Sequence, residues 1–313
     1  MNLTALAFAL MALLLAGPVP AVLSRATWPH RAPRAALVLW QAIALAAVLS
    51  AFSSGLAIAT QLLVPGPDGR PTTAPLAEID ALGLPLWVAY VVVLAITLFI
   101  GARLIFSIAS VAVRTRRRRA RHRMLVDLLD RREPHRSRTS NLRVLDSAEP
   151  IAYCLPGLRQ RVVLSEGTLA NLSHDEVTAI LMHERSHLRA RHDLVLEAFT
   201  AVNTAFPRVV RSKSALGSVQ LLVEMLADDS AVRVTGPTPL ARALVACAGS
   251  SAPMGAMAAG GPHTLTRIQR LSDTEPTLVV SLAAYVASVA ILVVPTIAVA
   301  APWLTEVSRL FNA

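Results

Sequence analysis

The chain has 313 residues, 54% of them apolar, and its 30 Lys and Arg against 20 Asp and Glu give a formal charge of +10. A mean hydropathy of +0.53 is too high for a soluble globular protein of this length and points to an integral membrane protein. The two cysteines, Cys154 and Cys247, form no C-x-x-C pair, and neither reads as a metal ligand or a nucleophile.

Four segments reach the ~20 residues needed to cross a bilayer core: Leu3 to Leu23, Ala35 to Val64, Leu84 to Val111 and Thr277 to Ala301. Pro18 and Pro20 make the first the least regular. No basic residue precedes its apolar run, and Arg25, Arg31 and Arg34 follow it. That order suits a retained anchor with its N-terminus outside, not a cleaved signal peptide. The connection from Pro65 to Pro85 carries one Arg and three acids and is assigned to the outer side. Arg103, within the overlong third span, is expected to snorkel to the interface or to mark where the helix leaves the lipid.

Arg114 to Arg123 then form an arginine-rich run that marks the cytosolic side. Its place against a span, and the lack of interleaved aromatics, favour attraction to anionic lipid, and direct nucleic-acid binding is not expected. Residues 115–140 read as a basic juxtamembrane linker, polar from Arg131 to Ser140, and a folded cytosolic unit begins near Asn141. Ala152 to Gly157 and Arg161 to Ser165 read as two short strands around a Pro-Gly turn.

The most informative stretch follows. Ser173 and Glu176 spell a capping box, and Val177, Ile180, Leu181 and Leu188 recur at helical spacing. On that helix lies His183-Glu184-Arg185-Ser186-His187, the pattern H-E-x-x-H. Four residues turn through slightly more than one revolution, so His183 and His187 project from one face and can share a Zn²⁺ ion. Glu184 can then act as general base on a water. The alternative reading is a charged, solvated helix face.

A third ligand is offered by the apolar-periodic run Leu216 to Val234, which ends at the stop signal Gly236-Pro237. Glu224 would complete a His/His/Glu set with an open fourth position, the arrangement of catalytic zinc. Asp228, one turn on, is placed to accept the free N–H of a ligand histidine. An acidic surface turn with Asp229 is the competing reading. Ser250 to Pro262 is small and glycine-rich, a loop beside the site.

H-E-x-x-H followed by Glu224-Met225-Leu226-Ala227-Asp228, in a chain with several spans, resembles the BlaR/MecR-type antirepressor metallopeptidases. A more distant resemblance is to the membrane CaaX and heat-shock zinc proteases. The likeness runs from about Asn141 to Leu271. It implies that His183, His187 and Glu224 hold one catalytic zinc, that Glu184 is the general base, and that Asp228 supports a ligand. Asp193 matches the acid that ends the long active-site motif of the family, and His192 beside it reads as a surface residue, not a fourth ligand. By the same likeness Tyr153, Cys154 and Leu155 form an edge strand that binds substrate by β-augmentation; the alternative is an ordinary shielding hairpin. Pro262 to Ile268 is similar to a late loop-plus-helix in which a His or Arg steadies the tetrahedral intermediate, with His263 the candidate here. A solvated His263 is the alternative.

The expected protein is therefore mainly α: three helices in residues 1–114, a cytosolic α+β zincin-like domain in 141–276, and a fourth helix with a short outer tail in 277–313. It is placed in the plasma membrane as a zinc endopeptidase. The resemblance implies a penicillinase-repressor-type DNA-binding protein as substrate, cut after a signal. The best-known relatives carry a penicillin-binding sensor after the last span; with none here, sensing is expected to fall to the spans, the outer loop or a separate sensor protein. The competing expectations are a quality-control zinc protease and a non-catalytic signalling scaffold.

Overall fold

The computed structural model describes residues 3–59, 62, 64–65, 71–72, 74–129, 141–157, 159–207, 212–248, 257–258, 263–272, 278–297, 301 and 305. The first apolar stretch forms α1 (Leu3–Ala16) and α2 (Pro18–Leu23), broken at Gly17. The prolines explain the break: Pro18 has no N–H to continue α1, and it opens α2 where none is needed. A 3-10 turn at Trp28–His30 leads into α3 (Pro33–Ala59), which packs against α1. Ser54 Oγ donates to the Ala5 carbonyl across that contact at 3.0 Å.

Two short strands, β1 (Val64–Pro65) and β2 (Pro71–Thr72), pair antiparallel and precede α4 (Pro75–Leu82). Glu78 of α4 accepts from Trp87 Nε1 at 2.7 Å and so fixes α4 to the start of α5 (Leu84–Leu129). α3 and α5 cross closely: a Cβ on Gly55 would collide with Thr97.

Residues 115–140 were expected to form a linker after the third span. Instead α5 runs unbroken through the arginine run to Leu129. The reason is local: after Gly101 the helix contains no Gly or Pro, and Arg, Leu, Met and Ala are strong helix formers. The rest of the expected linker, residues 130–140, lies outside the described residues. Arg103 lies within α5, and its Nε donates to the Ala205 carbonyl at 2.6 Å.

Two faces of a small sheet position the rest. β3 (Leu142–Leu145), β4 (Ala152–Leu155), β5 (Arg161–Ser165) and β6 (Met257–Ala258) lie in the order β3-β5-β4-β6. β3 runs parallel to β5, and β4 is antiparallel to both β5 and β6. The expected hairpin is there, with Ala152 opposite Leu164 and Leu155 opposite Arg161. Side chains alternate between faces along a strand. Tyr153, Leu155 and Val163 accordingly pack on Val126, near the end of α5. Ala152 and Leu164 pack with Ile180, Ala243 and Cys247 on the other face. Arg143 and Arg161 both bond Asp127 of α5, at 3.0 and 3.1 Å.

The remaining helices are α6 (Glu166–Asn171), α7 (His174–Ala190), α8 (His192–Ala205), α9 (Ser212–Thr235), α10 (Pro237–Ala246), α11 (Thr264–Ser272) and α12 (Leu278–Pro295). α3 also touches α5, α9 and α12, so it joins the apolar helices to the helices of the site. Among the described residues four helical stretches are long and apolar enough to cross a membrane: Ala5–Leu23, Pro33–Ala59, Leu84–Leu129 and Leu278–Pro295. The second stops short of the expected Val64, which lies in β1; residues 298–300 of the expected fourth span lie outside the described residues.

Candidate active site

α7 forms as its sequence requires. The Ser173 side chain accepts from the Glu176 N–H and the Glu176 carboxylate takes the Ser173 N–H, closing the capping box. Ala179, Ile180 and Leu188 are buried, and His183, Glu184 and His187 are buried with them. This is no solvated charged face.

His183 and His187 converge, with their Nε2 atoms 3.2 Å apart. α9 brings Glu224 to the same point, 3.4 Å from His183 Nε2 and 3.5 Å from His187 Nε2. One ligand atom from each of the three lies within 4.8 Å of the others, a set able to hold a metal ion. Glu184 lies beside them, fully buried, and neither carboxylate oxygen has a hydrogen-bond partner among the described residues. A buried carboxylate without a donor is costly. A bound water or cation at the converging donors is what would compensate it, so the residues present fit a metal.

The supports divide by histidine. Asp228 Oδ1 lies 3.0 Å from His183 Nδ1, the role expected for it. His192 Nδ1 lies 3.0 Å from His187 Nδ1. His192 is therefore no surface residue: it is 4% exposed and backs a ligand. Arg191 makes this possible. It adopts the left-handed conformation at φ 53° and donates its N–H to the His187 carbonyl, so that α8 starts at once and folds His192 back. Asp193, next along, touches no ligand histidine; it is buried against Arg119 of α5 at 3.2 Å. Arg119 also pairs with Glu197 at 2.7 Å.

Arg267 is the residue that sequence reasoning missed. Wholly buried, it grips both Asp228 oxygens, at 2.8 and 2.6 Å, and approaches Glu224 Oε2 at 3.1 Å. His263, the residue chosen from that stretch, sits one turn earlier, exposed, at φ 71°. Its carbonyl accepts the Arg267 N–H, and its side chain lines a different cavity with His30 and Trp40. The signal was the spacing: residues 263 and 267 share a helix face, and only Arg carries a fork matched to two carboxylates.

The strand Tyr153 to Leu155 is not a free sheet edge. β4 is interior, because β6 pairs on its outer side, with Tyr153 opposite Ala258 and Cys154 opposite Met257. The edge expected to receive substrate is thus covered by the chain itself at those two residues. All three side chains are buried. The Tyr153 hydroxyl meets His122 Nε2 of α5 at 2.9 Å. Most of Ser250 to Pro262 lies outside the described residues.

The electrostatics of the unliganded cluster are uneven. Burial pushes the Glu184 carboxyl up to about 7. Burial alone would lower His183, but its pairing with Asp228 and Glu224 raises it to about 9. His187 is lowered to about 3 by burial, and burial takes His192 down to about 4. Burial would raise Glu224, yet His187 and His183 hold it at about 2. Asp228 is likewise held low against its burial, by Arg267 and His183. Burial pushes the Cys154 thiol well up, and the neighbouring Glu184 charge adds to it.

Apolar helices long enough to span a membrane, joined to a buried His/His/Glu cluster with a poised carboxylate, define a membrane metallopeptidase type of architecture. A sequence model of the BlaR1 peptidase M56 family matches residues 68–206, so over that stretch the chain is similar to this family of metallopeptidases. The match includes α7 and Asp193; Glu224, Asp228 and Arg267 lie beyond it and rest on the geometry. No curated protein matches the chain, and no solved structure does.

Proposed function

We propose that this chain is a zinc endopeptidase of the plasma membrane that cuts a cytosolic repressor of the penicillinase-repressor type in response to a signal. The observation that carries the enzymatic reading is the meeting of His183, His187 and Glu224 with the unpartnered carboxylate of Glu184. Two imidazoles and one carboxylate are a donor set that suits zinc better than magnesium or calcium, which favour oxygen alone. When bound there, the ion supplies Lewis acidity toward a peptide carbonyl and lowers the pKa of a water.

The protein's own residues do the rest. Glu184 in its ionised form takes a proton from the attacking water and returns it to the leaving amine. Asp228 and His192 hold the two imidazoles from behind, at 3.0 Å each, so that both Nε2 atoms face the donor site. Arg267 neutralises Asp228 and steadies Glu224.

The positive-inside rule supports an outer N-terminus and a cytosolic site: Arg25, Arg31 and Arg34 follow the first span and the Arg114 to Arg123 run follows the third. In this reading the signal enters through the spans, the outer loop or a separate partner. Glu184→Gln is expected to keep the metal and abolish proteolysis. A comparison of cytosolic cleavage products between wild-type and Glu184→Gln cells then identifies the substrate. One repressor fragment unique to wild type supports the reading; broad loss of many fragments would point to quality control.

A further inference from the structure

Away from the metal cluster, two cavities share one wall. The first, about 290 Å³, is bounded only by apolar residues of α1, α2, α3, α5, α8 and α9, among them Leu13, Ala47, Phe52, Leu104 and Phe199. Leu13, on its rim, is 70% exposed and continuous with exposed Leu10 and Leu14, so the cavity borders the apolar surface of α1. The second, about 300 Å³, is lined by polar groups as well: Ser24, His30, Ser218 and His263. Trp40 lines both. Its indole is 1% exposed, and its Nε1–H has no hydrogen-bond partner among the described residues.

An unpaired buried N–H between an apolar and a polar chamber asks for an acceptor carried by an amphiphile. Of the helices around the apolar chamber, α1, α2, α3 and α5 belong to stretches able to cross a membrane, so the amphiphile at hand is a bilayer lipid. The segment from Ser24 to Arg34 beside the polar chamber carries Arg25, Arg31 and Arg34 and no acid, which favours an anionic headgroup. We propose that the two cavities form one site for an anionic bilayer phospholipid: an acyl chain fills the apolar chamber, and a headgroup oxygen accepts the Trp40 indole N–H. The site bears on the metal cluster from outside it. The second cavity is also lined by Leu221 and Leu222 of α9, just before Glu224, and by His263, which caps the helix carrying Arg267.

The test uses the full chain with Trp28→Phe, Trp87→Phe and Trp303→Phe, so that Trp40 is the one fluorophore, in nanodiscs of equal parts phosphatidylglycerol and phosphatidylcholine. Acyl chains are dibrominated on one lipid or on the other, which keeps bulk bromine constant. Trp40 emission is expected to be at least twofold lower when the bromines are on phosphatidylglycerol. Ala47→Phe, which fills the apolar chamber, removes that difference; Ala44→Leu, a smaller filler of the same chamber, serves if Ala47→Phe does not fold. Equal emission in the two discs, or a difference that survives the filling variant, overturns the proposal. Neither result depends on peptidase activity.

Discussion

Asp228 stands between His183 and Arg267, 3.0 Å from the imidazole Nδ1 of the first and doubly bonded to the guanidinium of the second. One carboxylate thus orients a metal ligand while being held in place by a buried cation. Asp228→Asn keeps the shape and loses the charge. It is expected to weaken metal affinity about 10- to 100-fold, the usual cost of losing such a support. Competition with a calibrated chelator measures it.

Arg267 has zero exposure, so its removal strands two acids in the interior. Arg267→Met is expected to destabilise the protein by about 3–5 kcal/mol, the range for breaking a buried pair by deleting one partner. Arg267→Lys should recover only a minor part, since an ammonium cannot make the two parallel bonds to Asp228. Thermal unfolding of the detergent-solubilised chain reports both.

A second tie joins α5 to α8. Arg119, on the extension that the arginine run builds, meets Asp193 and Glu197 at 3.2 and 2.7 Å. In a double-mutant cycle, Arg119→Met and Asp193→Asn should be less destabilising together than the sum of the single changes, by at least ~0.5 kcal/mol. Strict additivity in unfolding midpoints would mean that the pair carries no coupling.

Metal loading should release a proton. In the metal-free protein the His183 imidazole is held protonated up to about 9, while His187 and Glu224, at about 3 and 2, have already lost theirs at neutral pH. A ligand nitrogen must be neutral to bind a metal. Binding at pH 7 is therefore expected to release at least one proton, that of His183 together with the share still held by Glu184 at about 7, and affinity should rise with pH until about 9 and then level off. Calorimetric titration with Zn²⁺ in buffers of different ionisation enthalpy gives the number directly. The same raised pKa sets a stability trend for the metal-free form. The His183 contribution is complete below the unfolded value of about 6.5 and is lost as pH rises through 9.

What could be read from the sequence was what is local. The capping box, the helical spacing of Val177, Ile180 and Leu188, and the His183 to His187 interval all act within one helix, and α7 has all of them. Glu224 and Asp228 were legible for the same reason, being four apart on one helix. His192 escaped because its partner depends on the left-handed turn at Arg191, a conformation that residue type does not announce. Arg267 escaped because its partner lies 39 residues away and the contact exists only once α11 packs on α9. The covering of β4 by β6 rests on a two-residue strand in a stretch whose small residues advertise a loop. The arginine run was weighed as charge alone, although its helix propensity was there to be used.

The central claim is that two imidazoles of α7 and one carboxylate of α9 grip a single ion. X-ray absorption spectroscopy with metal quantitation on the purified, zinc-loaded full chain tests it most directly. The expected result is one zinc per chain with nitrogen and oxygen ligands and no sulfur, and loss of that zinc in His183→Ala and in Glu224→Ala. A thiolate in the coordination sphere, or full zinc occupancy in both variants, would contradict it.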